Sequence, residues 1–373
     1  MYPKDGTGAP WLALKQVRGV GPAVYRQLLA AFGEPADVFA ATTARIEALG
    51  IRPEVAASIV AFDGWSSVAA QLRRLDRCGG RVVTWNDDAY PEHLRQIHDP
   101  PPFIFVRGDV CDADDVAIAV VGSRTPSTYG REMARMLAEQ LARIGVTVVS
   151  GLARGIDAEA HRAALRAGGR TIAVLGSGLD VIYPGEHRAL AQEIAGCGSI
   201  VSELAPGTAP DAENFPARNR IISGLALGVL VVEAAEKSGT LITARLAAEQ
   251  GREVFAVPGP VGPRSRGTHQ LIKQGAKLTE RVEDIIEEVA PQLLAQLGSR
   301  LESAVEQPTD LERRLLASMP SEALQIDQIM TLMGWTVPQA LETLLSLEIK
   351  GLVRQFPGKL FAPVSAGPER VQS

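Results

Sequence analysis

The sequence has little cysteine, few aromatic residues and no long apolar run. Its three cysteines, Cys78, Cys111 and Cys197, have spacings that match no zinc or redox motif. A disulfide framework is therefore not expected, and a reduced, cytoplasmic location is. No stretch of about 18 uncharged apolar residues is present, so no membrane association is expected. Residues 1–10 also lack the apolar core of a signal peptide.

An excess of positive charge is also missing. The 373 residues include 38 lysines and arginines against 43 aspartates and glutamates, a formal net charge of −5. A generally basic nucleic-acid binder is therefore excluded, and any anion site must be local. Hydrophobic residues make up 46% of the chain and charged residues 22%, as in globular proteins, and the length allows two or three domains.

Residues 1–78 are predicted to form a small domain of short helices. Apolar residues recur at helical spacing on both sides of Gly19-Val20-Gly21, and Pro22 suits the first position of a helix. The pattern resembles a helix-hairpin-helix or SAM-like domain, in which a glycine turn can point N–H groups at a phosphate. A packing domain with an ordinary turn explains the same pattern, and the sequence leaves both interpretations open.

Residues 79–290 predict a Rossmann-like α/β domain with a doubly wound, mostly parallel sheet. Nearly continuous apolar strands alternate with helical segments, which is typical of a sheet covered on both faces. A strand at 81–85 and the extended segment Pro100-Pro101-Pro102 are interpreted as an edge extension of this domain. The other predicted strands are 116–121, 145–149, 171–175, 199–202, 228–232 and 253–257, with helices at 129–143, 156–167 and 241–250.

The remaining residues predict a linker at 291–307, a winged-helix domain at 308–365 and a disordered tail at 366–373. A winged helix usually reads DNA with its third helix, here 337–349. That helix contains no lysine or arginine, and its polar positions include Glu342 and Glu348. We therefore predict a protein–protein or intramolecular role for this domain. Its predicted basic group is confined to the wing, at Lys350, Arg354 and Lys359.

Glycine or serine follows most of the predicted parallel strands. Ligands of open parallel sheets bind at the carboxyl ends of the strands, where glycine lets backbone N–H groups approach an anion closely. Two of the turns add an arginine, whose planar fork suits phosphate. The candidate phosphate-binding residues of these turns are Gly122, Ser123, Arg124, Ser150, Gly151, Arg154, Gly176, Ser238, Gly239 and Thr240.

A second candidate group lies at 214–220. Arg218, Asn219 and Arg220 follow Phe215 within a few residues. Arginine and amide groups can contact phosphate oxygens, and an aromatic ring can stack on a base. A loop with solvated arginines explains the same residues equally well, so both interpretations stay open.

Other chemistry finds little support in the sequence. The turns after 116–121 and 171–175 lack the glycine spacing of a dinucleotide site, and no phosphate-binding loop of the ATPase type occurs. No His, Cys, Asp or Glu residues have metal-ligand spacing. Asp157 and His161 share one helical face, where a structural hydrogen bond between them is expected. We therefore predict no catalytic residues, no metal and no cofactor.

Taken together, these segments resemble the DNA processing protein A family (DprA, also called Smf). The resemblance runs in order over some 170 residues. It rests on the segments Tyr90-Pro91, Asp99-Pro100-Pro101, Val121-Gly122-Ser123-Arg124, 150–157 with His161, 174–180 with Tyr183-Pro184, Ser202-Glu203, 215–220, 238–244 and Val257-Pro258-Gly259.

The resemblance implies a homodimer, formed through the Rossmann-like domain, that binds single-stranded DNA without sequence specificity. It implies that this DNA is handed to the RecA recombinase during natural transformation. By motif, Arg124 resembles the main phosphate ligand, with Ser123, Arg218, Asn219 and Arg220 beside it and Ser150, Gly151, Ser238 and Gly239 giving backbone contacts. The sequence departs from the family at Gly185 and near Ala212, where relatives often carry lysine; Arg154 or Arg188 are candidate substitutes.

Two alternatives belong to other classes of function. A phosphoribohydrolase has a similar sheet but places a catalytic glutamate after its glycine loop, whereas Lys237-Ser238-Gly239-Thr240 is followed by Leu241 and Ile242. Glu233 and Glu236 are the nearest acids for that reaction. A scaffold that only recruits partners would depend on the outer domains instead.

Overall fold

The computed structural model describes residues 8–293, 309–320, 324–349, 352–356 and 360–363. The chain divides into two compact units between residues 294 and 295, and each is described by itself. Most of the expected linker, the expected tail at 366–373, and Lys350 and Lys359 of the wing lie outside the described residues.

Six helices open the first unit, as expected for residues 10–75. Pro22 is the first residue of the second helix, and Gly19 makes the preceding turn with a φ of +88°, where glycine is favoured. The helices are α1 (Ala9–Gln16), α2 (Pro22–Phe32), α3 (Pro35–Ala40), α4 (Thr43–Glu47), α5 (Pro53–Val60) and α6 (Trp65–Arg77).

Nine strands follow in a single sheet. They are β1 (Gly80–Thr84), β2 (Phe103–Gly108), β3 (Ala117–Val121), β4 (Thr147–Ser150), β5 (Thr171–Val174), β6 (Ser199–Ser202), β7 (Gly228–Val231), β8 (Glu253–Ala256) and β9 (Lys277–Leu278). Their order is β1-β2-β6-β5-β4-β3-β7-β8-β9. The seven strands β6, β5, β4, β3, β7, β8 and β9 are parallel to one another. β2 is antiparallel to both of its neighbours, β1 and β6. The mostly parallel sheet with an edge extension is thereby confirmed.

The helices of the sheet region connect its strands. They are α7 (Glu92–Arg95), α8 (Thr128–Arg143), α9 (Ile156–Arg166), α10 (Arg188–Cys197), α11 (Asn214–Gly224), α12 (Thr240–Glu249), α13 (Arg266–Lys273) and α14 (Glu283–Val289), with 3₁₀ turns at Asp112–Asp115, Gly185–His187 and Pro291–Leu293. The sequence did not predict β2 or β9. Residues 214–220, for which a DNA-contacting group and a loop of solvated arginines were both left open, form most of α11, whose Asn214 and Pro216 obscure the helical pattern.

The core continues from the first helices into the sheet. Along β2, Phe103 and Phe105 belong to the cluster that contains the buried side chains of α1, α2 and α6, while Ile104 and Val106 belong to a second cluster. This alternation follows from the two-residue period of a strand. The predicted boundary between residues 78 and 79 falls between α6 and β1, inside one continuous cluster of buried side chains.

The second unit is a winged helix, as expected. It contains α15 (Asp310–Ser318), α16 (Ile326–Met333) and α17 (Val337–Ile349), with a small sheet of β10 (Leu324–Gln325), β12 (Leu360–Pro363) and β11 (Val353–Phe356) in that order. Thr309 and Glu312 form a capping box at the start of α15. Leu315, Ile329, Leu344 and Phe361 are part of its core.

Membrane-spanning character was tested helix by helix. Among the described residues no single helix is long and apolar enough to cross a bilayer; α5 and α6 meet the length and composition limits only as a pair bent by 67°.

Candidate nucleic-acid interface

A cleft opens where the order of the parallel strands reverses. β3 lies between β4 and β7, so the helices that follow β3 and β7 leave in opposite directions and part at the carboxyl ends of these two strands. The cleft there has a volume of about 580 Å³. The residues that line it include Gly122, Arg124, Ala153, Asp157, Tyr183, Pro210, Ala212, Phe215, Arg218, Asn219, Ser238, Gly239 and Thr240.

A larger cavity of about 790 Å³ lies between α12 and α13. Its walls include Gly251 and Glu253, which are at the amino end of β8. It runs along both helices, from Leu241 and Gly267 in their first turns to Gly251 and Gln274 just past their ends, and none of the predicted phosphate-binding residues lines it. Because ligands of open parallel sheets bind at the carboxyl edge, the smaller cleft is the better candidate for the functional site.

Arg124 is the exposed cation of the cleft. Its side chain makes no hydrogen bond or ion pair with any described residue, and its guanidinium lies over the ring of Phe215, 5.5 Å from the centroid. The turn that carries it fits closely against α9, because a Cβ at Gly155 (φ +79°) would lie 2.2 Å from the carbonyl oxygen of Ser123. A glycine is therefore required there, and Arg124 is presented to solvent.

The turn after β4 makes mainly internal contacts. The Ser150 hydroxyl donates to the carbonyl of Val120, and the Gly151 N–H donates to the carboxylate of Asp157 at 3.2 Å. Both residues are buried. Arg154 is exposed but forms a two-point ion pair with Glu186 at 2.9 Å. Of these predicted residues, Gly151 and Arg154 line a small hollow of about 50 Å³ beside Arg124 and Phe215.

Arg218 is buried behind the cleft. Its Nη1 donates to the carbonyls of Gly151, at 2.8 Å, and of Val174, and so ties α11 to the ends of β4 and β5. Burial lowers the pKa of Arg218 to about 10, with nearby Asp157 acting in the opposite direction. Burial likewise raises the pKa of Asp157, against the opposing effects of Arg218 and two backbone N–H groups. The guanidinium of Arg218 is therefore bonded to two carbonyls and lies near one carboxylate.

Arg220 lies away from the cleft. Its Nε is 3.2 Å from Asp99 and its Nη2 is 2.5 Å from Glu203. The reason is helical geometry, because residues two positions apart point to different sides of a helix. The wall that α11 contributes is formed by Phe215, Arg218 and Asn219. Gly176 packs beneath it, since a Cβ there would lie 2.8 Å from the Phe215 ring.

The turn before α12 completes the opposite wall. The Thr240 N–H donates to the Ser238 hydroxyl at 3.2 Å, and the Thr240 hydroxyl donates to the carbonyl of Gly122 at 3.1 Å. This last bond joins the end of β3 to the start of α12. The preceding Lys237 is exposed and has no hydrogen bond or ion pair among the described residues. This cation was not predicted from the sequence, although its position beside Ser238 was an available signal.

Two acids with catalytic potential are held elsewhere. The buried Glu233 accepts from the Ser127 N–H at 3.1 Å and from the Ser127 hydroxyl, and lies 3.7 Å from Arg264. Glu236 is exposed and 3.8 Å from Arg266. Within the described ranges, no three His, Cys, Asp or Glu side chains are grouped as a metal ion would require.

The expected hydrogen bond between Asp157 and His161 is wrong. Asp157 accepts instead from the N–H groups of Gly151 and Ala153, because it lies at the first turn of α9 opposite these free donors. His161 is buried and its Nδ1 is 2.7 Å from the Thr171 hydroxyl. Since that hydroxyl donates to the carbonyl of Val148, the imidazole Nδ1–H is the donor to Thr171.

The fold and the cleft define a Rossmann-like α/β protein with an anion-compatible site at the point of strand reversal. A family model described as DNA recombination-mediator protein A matches residues 81–290, and a second model, the DprA winged helix domain, matches residues 299–359. The chain belongs to this family, whose members are called DprA or Smf.

Two relatives are similar in sequence to this chain over more than half of its length. Protein Smf of Escherichia coli is 43% identical over 303 residues, which cover 78% of this chain and 80% of the relative. DNA processing protein DprA of Bacillus subtilis is 48% identical over 213 residues, 57% of this chain and 72% of that one.

Two solved structures share the fold. The structure of DprA from Streptococcus pneumoniae is 36% identical, with a TM-score of 0.66 over 78% of this chain and 99% of that chain. A structure of DprA from Helicobacter pylori concerns the single-stranded DNA binding mode of that protein. It is 31% identical, with a TM-score of 0.51 over 57% of this chain and 96% of that one.

Proposed function

We propose that this protein binds single-stranded DNA without sequence specificity in the cleft at the ends of β3 and β7, with Arg124 as the main phosphate ligand. The observation that carries the proposal is the free guanidinium of Arg124 beside the ring of Phe215. A cation next to an aromatic face can bind a phosphate and stack a neighbouring base. Both contacts are available to any sequence.

The surroundings support an anion of this kind. Asp157 is the one carboxylate among the residues that line the cleft, and it is directed at two backbone N–H groups. The start of α12, at Gly239 and Thr240, adds the positive end of a helix dipole to the opposite wall. Lys237 beside it supplies a further exposed cation on this wall, opposite the positions Gly185 and Ala212 at which relatives often carry lysine. The Helicobacter pylori relative, whose structure concerns single-stranded DNA, supports the choice of ligand.

The test is the salt dependence of binding. Each phosphate neutralised on a single strand contributes about −0.7 to the slope of log affinity against log salt concentration. We expect Arg124→Ala to weaken binding of a labelled single strand and to flatten this slope by about 0.7. Fluorescence anisotropy at several salt concentrations measures both quantities.

Arg135→Ala is a matched control, because Arg135 is an exposed arginine of α8 whose charge is already paired with Glu132 and Glu139. It should leave the slope unchanged. If the affinity of the unaltered protein for a single strand did not change with salt concentration, the proposal would be contradicted.

We infer further that the protein acts as a homodimer and hands the bound strand to the RecA recombinase during natural transformation. The family description, a recombination mediator, supports this role. We expect the protein to speed RecA filament assembly on single strands already covered by a competing binding protein. Equal assembly rates with and without it would contradict the inference.

We propose that the site performs no catalysis. A phosphoribohydrolase needs a free carboxylate at the sugar, whereas Glu233 is buried and held by Ser127. Release of free base from a nucleoside monophosphate, lost on changing Glu233 or Glu236, would contradict this part.

A further inference from the structure

One exposed face of α6 carries three arginines. Arg73 and Arg77 are four positions apart and Arg74 and Arg77 three apart, so the three side chains share a side of the helix. All three are exposed. Ala70 and Ser66 lie about one and two turns before Arg73 on this side, and both are small. We call Arg73, Arg74 and Arg77 the α6 patch.

Two of these arginines form no ion pair with a described residue, and the nearest acid on the helix is the exposed Asp76, three positions after Arg73. Among the described residues, Arg73 makes no side-chain hydrogen bond or ion pair, and Arg77 donates only to the carbonyl of Arg73, at 3.2 Å. Arg74 differs, because its guanidinium is 2.8 Å from the carboxylate of Asp180. Arg74 and Arg77 border a hollow of about 420 Å³ together with Cys78 and Asp180. The α6 patch therefore combines two available cations with a surface depression.

The α6 patch is fastened to the loops that leave β5 and β6. Asp180, in the loop after β5, accepts from Arg74 Nε at 2.9 Å and from the Gly207 N–H at 2.6 Å. Gly207 has a φ of +92°, and a Cβ there would lie 2.6 Å from the Arg74 guanidinium. The loop after β6 thus lies directly against α6.

The same loop reaches the cleft within a few residues. Pro210 and Ala212 line the cleft that holds Arg124, and Pro210 is three positions beyond Gly207. Three residues of extended chain span at most about 10 Å. The α6 patch and the cleft are consequently neighbours along one short loop, although they belong to helices and strands far apart in the sequence.

We propose that a single strand bound in the cleft continues across the loop 207–212 onto α6, where Arg73 and Arg77, with Arg74, bind its phosphates. This rests on the proposed function. The six-helix region then extends the DNA-binding surface. With a net charge of −5, attraction of the strand depends on local groups of cations such as these.

The experiment compares a short and a long oligonucleotide. A strand of about six nucleotides fills the cleft alone, and one of about twenty also reaches the α6 patch, on the scale of known single-strand sites. We expect Arg73→Ala/Arg77→Ala in the full chain to weaken binding of the long strand and to flatten its salt slope by about 1.4, for two phosphate contacts. Binding of the short strand should not change.

Matched variants separate this effect from charge and folding. Arg143→Ala/Arg166→Ala removes two exposed arginines at the far ends of α8 and α9 and should leave both oligonucleotides unaffected. Arg73→Lys/Arg77→Lys keeps the charge and should keep long-strand affinity. Far-ultraviolet circular dichroism of each variant checks that α6 still forms.

The outcomes also distinguish this inference from the proposed function. If Arg73→Ala/Arg77→Ala binds the long strand as the unaltered protein does, the path over α6 is wrong and the cleft assignment is unaffected. If the unaltered protein binds neither strand, the proposed function fails first. If Arg73→Ala/Arg77→Ala lost affinity equally for the short and the long strand, the path would also be wrong, because the substitutions would then affect binding by disturbing the fold and not by removing phosphate contacts.

Discussion

At the scale of single residues, four arginines that look alike in the sequence have four different environments. Arg124 is exposed and free, Arg154 is paired with Glu186, Arg218 is buried against two carbonyls, and Arg220 is held by Asp99 and Glu203. All four were predicted to contact DNA because arginine suits phosphate. The contacts divide them into one free cation and three cations with protein partners.

Arg218→Ala tests the structural role of the buried guanidinium. Removing one member of a buried charged group costs roughly 3–5 kcal/mol, and here the carbonyls of Gly151 and Val174 would lose their donor. We expect a loss of that order in the free energy of unfolding, measured with denaturant, and weaker DNA binding with it. Arg218→Lys should lose less, because an ammonium still donates. Arg124→Ala should leave the free energy of unfolding unchanged. If Arg124→Ala lowered it more than Arg218→Ala does, the two roles would be misassigned.

At the scale of elements, α9 is joined to the sheet through a buried histidine. His161 contacts Thr171 of β5, whose hydroxyl contacts Val148 of β4. Burial, followed by the nearby positive groups of His187, Arg162 and Arg218, lowers the pKa of His161 to about 3. The neutral imidazole is therefore part of the packed interface, and protonation opposes the folded state.

This predicts a loss of stability in acid. Between the folded pKa of about 3 and the unfolded value of about 6.5, the unfolded chain binds more protons, so stability rises with pH in that window and falls as the pH drops through it. His161 should contribute a slope of up to about 1.4 kcal/mol per pH unit. We expect His161→Gln to lack this contribution when unfolding is measured from pH 7 to 4.

The difference between the two proteins isolates the histidine. Burial raises the pKa of Asp157, whose effect on stability has the opposite sign, but Asp157 is present in both. If the free energy of unfolding changed with pH in the same way for the unaltered protein and for His161→Gln, the buried neutral imidazole would not be the cause of the acid sensitivity.

The element pattern was predictable where the chain repeats it. β3 to β8 are apolar runs followed by glycine, serine or another polar residue, and the structure confirms all six within two residues at each end. β2 was missed because Pro100-Pro101-Pro102 dominates the segment before it, and its pairing with β6 is formed between distant parts of the chain. α11 was missed because Asn214 and Pro216 in its first turn are also typical of a loop.

At the scale of the whole molecule, both proposed DNA contacts lie in the first unit. The winged helix exposes Val337, Leu341 and Leu345 along α17, at a spacing of four, beside Glu342. Such a face offers phosphate no cation. The expected protein–protein or intramolecular role of this unit therefore stays the better prediction.

A fragment of residues 1–293 should keep the DNA-binding activity of the whole chain. We expect its affinity for a single strand to match that of the full protein within about twofold, an energy difference under about 0.5 kcal/mol. We also expect it to sediment as a dimer, since dimerisation is proposed for the Rossmann-like part. A fragment that folds but binds tenfold more weakly, or sediments as a monomer, would assign a role to the winged helix.

The sequence by itself determined the alternation of strands and helices, the winged helix and the glycine-rich carboxyl edge, because these depend on local periodicity and on the backbone freedom of glycine. Only the tertiary structure decided which arginines face solvent, that His161 and Asp157 bond other partners and not each other, and that the loop after β6 contacts both α6 and the cleft. Those outcomes depend on contacts between distant residues, such as Arg74 with Asp180 and Arg218 with Gly151, which no local pattern encodes.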